Sequence, residues 1–176
     1  MTVTASFVVG RNNASTLGGL SSPLSTPEDR DRFLARHRSA GAFIIGKESA
    51  AVENYSATHV PIFVFSRNSA ALNFAHPLMQ QITVERNLTE ITRIIDARIP
   101  GEIVVEAGAR LLLALIEAGV VDYLELSRTP IDGDGHFVDV DHLLSKFEIE
   151  EDRILNGTQL LKCRYEGDAT NGKYNT

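Results

Sequence analysis

The chain has 176 residues, 43% of them hydrophobic and 23% charged, with a formal net charge of −6. That length holds one domain with a real core, and the acidic balance argues against broad binding to nucleic acid or anionic membranes. No run approaches the ~20 apolar residues that span a bilayer, and a single cysteine, Cys163, excludes an internal disulfide and suits a reducing cytoplasm.

Residues 3–9 are rich in β-branched side chains and predict a first strand. Residues 10–25 are polar, contain Gly18-Gly19, and predict a long loop of the kind that often carries function. Thr26-Pro27-Glu28-Asp29 is a helix start, with Thr as N-cap, Pro in the first position and acids in the first turn. That helix is expected to run to about Ser39 with Phe33, Leu34 and His37 facing inward. Residues 42–45, 61–65 and 103–105 are hydrophobic throughout, as strands covered on both faces are. Ile91, Ile94 and Ile95 after Thr89, and Leu111, Leu112, Leu115 and Ile116 after Ala109, have helical spacing. Alternation of strand and helix predicts an α/β layered fold with a largely parallel sheet. Phe147 and Ile149, then Leu161, Cys163 and Tyr165, alternate with charge across Asn156-Gly157, a two-residue hairpin signal. Residues 1–165 read as one domain and 166–176 as a flexible tail.

Metal chemistry finds no footing in this pattern. The five histidines, His37, His59, His76, His136 and His142, show no paired ligand spacing and have no cysteine partners. Asp132-Gly-Asp-Gly-His136 starts like a calcium loop but lacks the third acid and the terminal Glu, so it reads as a polar turn. No Gly-x-Ser-x-Gly elbow is present. Cys163, in an alternating strand, reads as a buried structural thiol.

The most informative stretch is residues 102–126. A short apolar run reaches Ala107-Gly108-Ala109, a helix follows, and Gly119 leads into another strand. A small-residue turn between a buried strand and a helix N-terminus lets an anion approach free backbone N–H groups. Two other predicted strands end in similar residues, Gly46-Lys47-Glu48-Ser49 and Ser66-Arg67-Asn68, beside Glu106-Ala107-Gly108. In an open parallel sheet, ligands sit beyond the carboxyl ends of the strands. Three such ends suit a long polyanion such as a dinucleotide, and Ser66 with Arg67 suits a 2′-phosphate.

The order of these motifs resembles the dihydrofolate-reductase-like reductases, and within them the C-terminal reductase domain of riboflavin biosynthesis. The likeness covers about residues 3–165. It rests on the opening strand ending in Ser6, the polar loop, Ser25-Thr-Pro-Glu-Asp-Arg30, Ala42-Phe-Ile-Ile-Gly46-Lys-Glu-Ser49, and the Val-Val-Glu106-Ala-Gly-Ala-Arg110-Leu-Leu run. It continues through Gly119-Val-Val-Asp122-Tyr-Leu-Glu-Leu and Pro130-Ile-Asp-Gly-Asp-Gly135. The chain departs from the family where Ser6-Phe-Val-Val-Gly10 replaces Ser-Leu-Asp-Gly, and where Ala107-Gly108 replaces Gly-Gly.

The resemblance implies an αβα sandwich of three layers around a mixed, mostly parallel sheet, and NADPH-dependent hydride transfer in a cytoplasmic homodimer. It matches Gly46 and Ser49 to the Gly-x-x-Thr turn beside the cofactor, and Ser66 and Arg67 to the 2′-phosphate grip. It matches Glu106, Ala107, Gly108, Ala109 and Arg110 to the pyrophosphate turn. The expected substrate is a small heterocycle, with 5-amino-6-(5-phosphoribosylamino)uracil first. A pterin- or folate-like compound, or nucleotide binding without turnover, is the alternative. Ser6, Ser22, Ser25, Arg30 and Arg36 are the candidate substrate contacts, and Glu28, Asp29 or water the candidate proton donors. The dimer interface is expected within residues 119–165.

Overall fold

A computed structural model describes residues 2–52, 54–74, 76–84 and 88–167, apart from the side chains at positions 91, 94 and 96. The chain divides into two compact units, Met1–Ser6 with Phe33–Val121, and Phe7–Arg32 with Asp122–Thr176. Strand β1 (Val3–Val9) and helix α1 (Pro27–Ser39) contribute residues to both.

Besides β1, the second unit begins with β2 (Ala14–Thr16), and the first unit contains β3 (Ala40–Gly46), α2 (Lys47–Val52), β4 (Ile62–Ser66) and β5 (Met79–Thr83). It continues with α3 (Leu88–Asp96), β6 (Glu102–Glu106) and α4 (Ala109–Glu117). Its strands run in the order β5-β4-β3-β6-β1, and every pairing is parallel. The uninterrupted apolar runs explain this: β4 is buried at all five positions, and Phe43, Ile44, Ile45, Ile103, Val104 and Val105 are fully buried. Phe43, Ile45, Ile62, Val64, Val104 and Tyr55 form one core cluster. Leu112, Leu115 and Ile116 of α4 are buried at helical spacing, each worth about 1.5–3 kcal/mol of transfer free energy. In α3 the expected Ile95 is buried, whereas the side chains of Ile91 and Ile94 lie outside the described residues. Leu34 corrects an expectation: it is 37% exposed, because α1 turns Phe33, Arg36 and His37 inward at i, i+3 and i+4 and leaves Leu34 off that stripe.

The second unit adds β7 (Tyr123–Arg128), β8 (Gly135–Phe137), α5 (Val140–Leu144), β9 (Phe147–Leu155) and β10 (Thr158–Tyr165). Strands β7, β10 and β9 pair antiparallel in that order. The expected hairpin turn is there, with Asn156 at φ 49° and Gly157 at φ 82°, both left-handed as a two-residue turn of this kind requires. Strand β9 is exposed at every position after Phe147, and Arg164 pairs with Glu148 and, at 3.3 Å, with Glu150. Charge on an outer strand of this sort discourages stray pairing with other chains.

The loop expected over residues 10–25 is partly ordered. Strand β2 pairs antiparallel with β8, and Ser22–Leu24 forms a 3-10 turn. Asn12 holds Gly133 through its side-chain amide, and Gly18 N–H bonds the Asp134 carboxylate at 3.0 Å. Such a pairing joins segments about 120 residues apart, and local composition carries no trace of it. Glu166 N–H still bonds Lys146 C=O at 3.0 Å, while residues 168–176 of the expected tail lie outside the described residues. The fold is α/β and its sheet pairing is mixed and mostly parallel. Among the described residues no helix is long and apolar enough to cross a membrane.

Candidate functional site

Three of the predicted strand ends lie along one edge of the first unit. Gly46 sits beside Phe65 in the β3–β4 register, and Ile45 sits beside Glu106 in the β3–β6 register, so β4, β3 and β6 end together. Beyond β6, Ala107 is buried at 8% exposure. Gly108 is the N-cap of α4, with φ −60°, ψ 158° and no side-chain cap. A Cβ at Gly108 would meet nothing within 4 Å, and its φ is one that any residue adopts. Neither packing nor conformation therefore requires glycine there. What it leaves is open space over the first turn of a nine-residue helix, where backbone N–H groups attract an anion. Leu111 N–H and Leu112 N–H already share Gly108 C=O at 3.1 Å. Ala109 is half-buried and Arg110 exposed. Gly46 is buried and Ser49 half-buried in α2.

Ser66 and Arg67 divide their roles. The Ser66 hydroxyl is buried, accepts from Asn68 N–H at 3.1 Å and donates to Asn68 C=O at 3.1 Å, so it shapes the turn that exposes Arg67. Gly108 thus leaves the N-terminus of α4 open and Arg67 is exposed, each just beyond the carboxyl end of a strand of the first unit.

Glu106 faces elsewhere. Its side chain is 9% exposed, with Oε1 2.5 Å from His37 Nε2 and Oε2 3.4 Å from the Tyr55 hydroxyl. The His37 ring lies 4.3 Å from Phe33 and 4.4 Å from Phe43 between centroids. No motif joins positions 37, 55 and 106, so this cluster was invisible in the sequence. Arg36 bonds Glu102 Oε2 at 2.7 Å, and Thr4 donates to the other oxygen at 2.5 Å. Glu102 opens β6, so Arg36 lies at the opposite end of that strand from Glu106, away from the carboxyl edge proposed for ligand. Ser6 is half-buried within β1.

The remaining candidates belong to the second unit. Ser22 and Arg30 are exposed. Ser25 donates to Asp29 Oδ2 at 2.5 Å, and Ser127 donates to Asp29 Oδ1. Arg32 bonds Ser127 Oγ at 2.7 Å and Leu161 C=O at 2.8 Å, which makes Asp29 part of a structural network tying α1 to β7 and β10. Glu28 accepts from the Asn156 side chain at 2.5 Å, and that bond holds its carboxyl below the ordinary range. Asp132, in the expected polar turn, is likewise lowered by its bond to Arg11. Cys163 is fully buried, and desolvation pushes its thiol up to about 11.

By sequence, neither a protein-family profile nor a curated protein matches the chain. Solved structures do. A diaminohydroxyphosphoribosylaminopyrimidine deaminase/5-amino-6-(5-phosphoribosylamino)uracil reductase from Thermotoga maritima superposes with TM-score 0.73 at 14% identity, over 94% of this chain and 56% of that one. The chain thus spans little more than half of that relative's length. A pyrimidine reductase-like protein from Corynebacterium diphtheriae superposes with TM-score 0.70 at 16% identity, over 95% and 92% of the two chains. The dihydrofolate reductase of Enterococcus faecalis, solved with NADP(H), superposes with TM-score 0.69 at 14% identity, over 94% and 96%. With the strand order and the edge described above, these likenesses identify the fold of this chain as that of the dihydrofolate-reductase-like reductases.

Proposed function

We propose that the protein is an NADPH-dependent reductase of a small heterocyclic substrate, with 5-amino-6-(5-phosphoribosylamino)uracil the first compound to test. The observation that carries this reading is the edge of the first unit: strand ends in register, and Gly108 leaving open space at an uncapped helix N-terminus. NADPH, when bound, supplies the hydride. Ala107, Gly108, Ala109 and Arg110 would hold its pyrophosphate, Gly46 and Ser49 would flank it, and Arg67 would grip the 2′-phosphate. The name of the Thermotoga protein, and the NADP(H) in the Enterococcus structure, support the choice of substrate and cofactor. Saturable quenching or enhancement of NADPH fluorescence, and loss of NADPH absorbance on adding the pyrimidine, are expected. No saturable NADPH binding at physiological salt would end the cofactor assignment.

A second reading, nucleotide binding without turnover, is favoured by one observation. Asp29 is held by Ser25 and Ser127, and Glu28 by Asn156, so both candidate acids serve the structure. Tight NADPH binding without oxidation in the presence of the pyrimidine, dihydrofolate or a dihydropterin would favour it.

A further inference from the structure

Gln81 in β5 stands beside Val64 in the parallel register and directs its amide at the loop that follows β4. Its Oε1 accepts from Leu72 N–H at 2.8 Å, while its Nε2 donates to Asn68 C=O at 3.0 Å and to Ala70 C=O at 2.9 Å. One side chain therefore satisfies three backbone groups spread over five residues, using both of its amide N–H donors and its carbonyl oxygen. Three further bonds tighten the same loop: Ala70 N–H to Asn68 Oδ1 at 2.9 Å, and the two between the Ser66 hydroxyl and the Asn68 backbone. Leu72 packs on the core cluster at the far end. Arg67 lies between Ser66 and Asn68, so both of its neighbours are fixed while its own side chain is exposed.

We propose that Gln81 is a positioning residue for nucleotide selectivity: it holds the loop so that Arg67 is presented to a 2′-phosphate, and thereby sets the preference for NADPH over NADH. The inference rests on the reading of Arg67 as the 2′-phosphate grip. A loop ordered before binding gives up less conformational entropy on binding than one that must order around the ligand. Both nucleotides use the pyrophosphate turn at Gly108, but only NADPH carries the phosphate that Arg67 would meet. Loosening the loop therefore acts on one nucleotide and spares the other, whereas general damage to the unit would weaken both.

The test is a titration of NADPH and NADH against the full chain, the variants Gln81→Leu and Arg67→Ala, and the double variant, with thermal melts to show that each is folded. Arg67→Ala should weaken NADPH roughly tenfold or more, the scale of a lost charge-assisted hydrogen bond, and leave NADH almost unchanged. Gln81→Leu should weaken NADPH about threefold to tenfold with NADH within about twofold, as expected when a preorganised contact loosens. The double variant should be no weaker than Arg67→Ala, because the glutamine acts through the arginine. If Gln81→Leu does not fold, Gln81→Glu keeps the acceptor for Leu72, removes both donors, and should show the same selective loss. Equal losses for both nucleotides, no loss, or a double variant weaker by the full product of the single effects would overturn the proposal. In those cases a selective Arg67→Ala loss leaves the cofactor reading standing. A native chain that binds neither nucleotide overturns both.

Discussion

His37, Tyr55 and Glu106 show how a carboxylate at the end of a buried strand is accommodated: an imidazole nitrogen stands 2.5 Å from one oxygen, and a phenol donates to the other at 3.4 Å. Removing one partner leaves the carboxylate buried, so His37→Ala should destabilise the protein by about 2–4 kcal/mol in chemical denaturation. The double variant His37→Ala with Glu106→Gln should recover a large part of that loss, because the neutral amide tolerates the site better. Additive losses would show that the two groups are not coupled. Cys163 makes a pH prediction of definite sign. Its thiol is raised from the ordinary value of 9.0 to about 11 by burial, so below pH 9 it is protonated in both folded and unfolded chains. Between about pH 9 and 11 the unfolded chain releases the proton and the folded chain keeps it, so stability should fall by about 2–3 kcal/mol across that window. Cys163→Ala should flatten that slope, and in the native chain a thiol reagent should react slowly at pH 8. A slope the alanine variant leaves unchanged would assign the alkaline loss to other groups.

At the scale of elements, two glycines of the second unit separate conformational strain from steric exclusion. Gly157 has φ 82° in the β9–β10 turn, and a Cβ there would touch Pro130 Cγ only at an ordinary 3.8 Å. Gly157→Ala should therefore cost about 1 kcal/mol, the penalty of a left-handed backbone for alanine, without loss of the hairpin. Gly133 is the reverse case. Its φ lies outside the left-handed range, but a Cβ would lie 2.5 Å from Thr16 C=O and 2.7 Å from Ala14 Cβ. Gly133→Ala must push the turn before β8 away from β2, and about 3 kcal/mol or more is expected. Thermal melts of the two variants check the contrast, and equal small shifts would refute the steric argument. The hairpin and α4 were legible in the sequence because Asn-Gly and the leucine spacing are local signals. β2, β5, β8 and α5 were not: they are short, and what orders β2 and β8 is pairing between distant segments.

For the whole molecule, the exposed apolar side chains of the second unit bear on assembly. Ile154 is 70% exposed, Phe137 64%, Ile149 47% and Leu155 45%, all in the second unit. We propose a homodimer whose interface lies within residues 119–165, a closed two-fold pair being the commonest oligomer. Light scattering at micromolar concentration should give twice the 19.3 kDa of one chain. A mass near 19.3 kDa would refute it, and Ile154→Lys should shift a dimer toward the single-chain mass.

The sequence by itself determined the fold class, because apolar runs and helical spacings are local patterns that dictate which faces must be buried. It also marked the strand ends at Gly46, Ser66 and Glu106, because small residues after an apolar run are visible without knowing their neighbours. Only the tertiary structure decided what each side chain there does. It turned Glu106 toward His37 and Tyr55, sent Arg36 to Glu102, placed Asp29 among Ser25 and Ser127, and gave Gln81 the loop that carries Arg67. Apart from Ser25–Asp29 and the contacts of Gln81 with its neighbouring loop, each of these joins residues far apart in the chain, and a polar side chain takes the partner that burial leaves within reach.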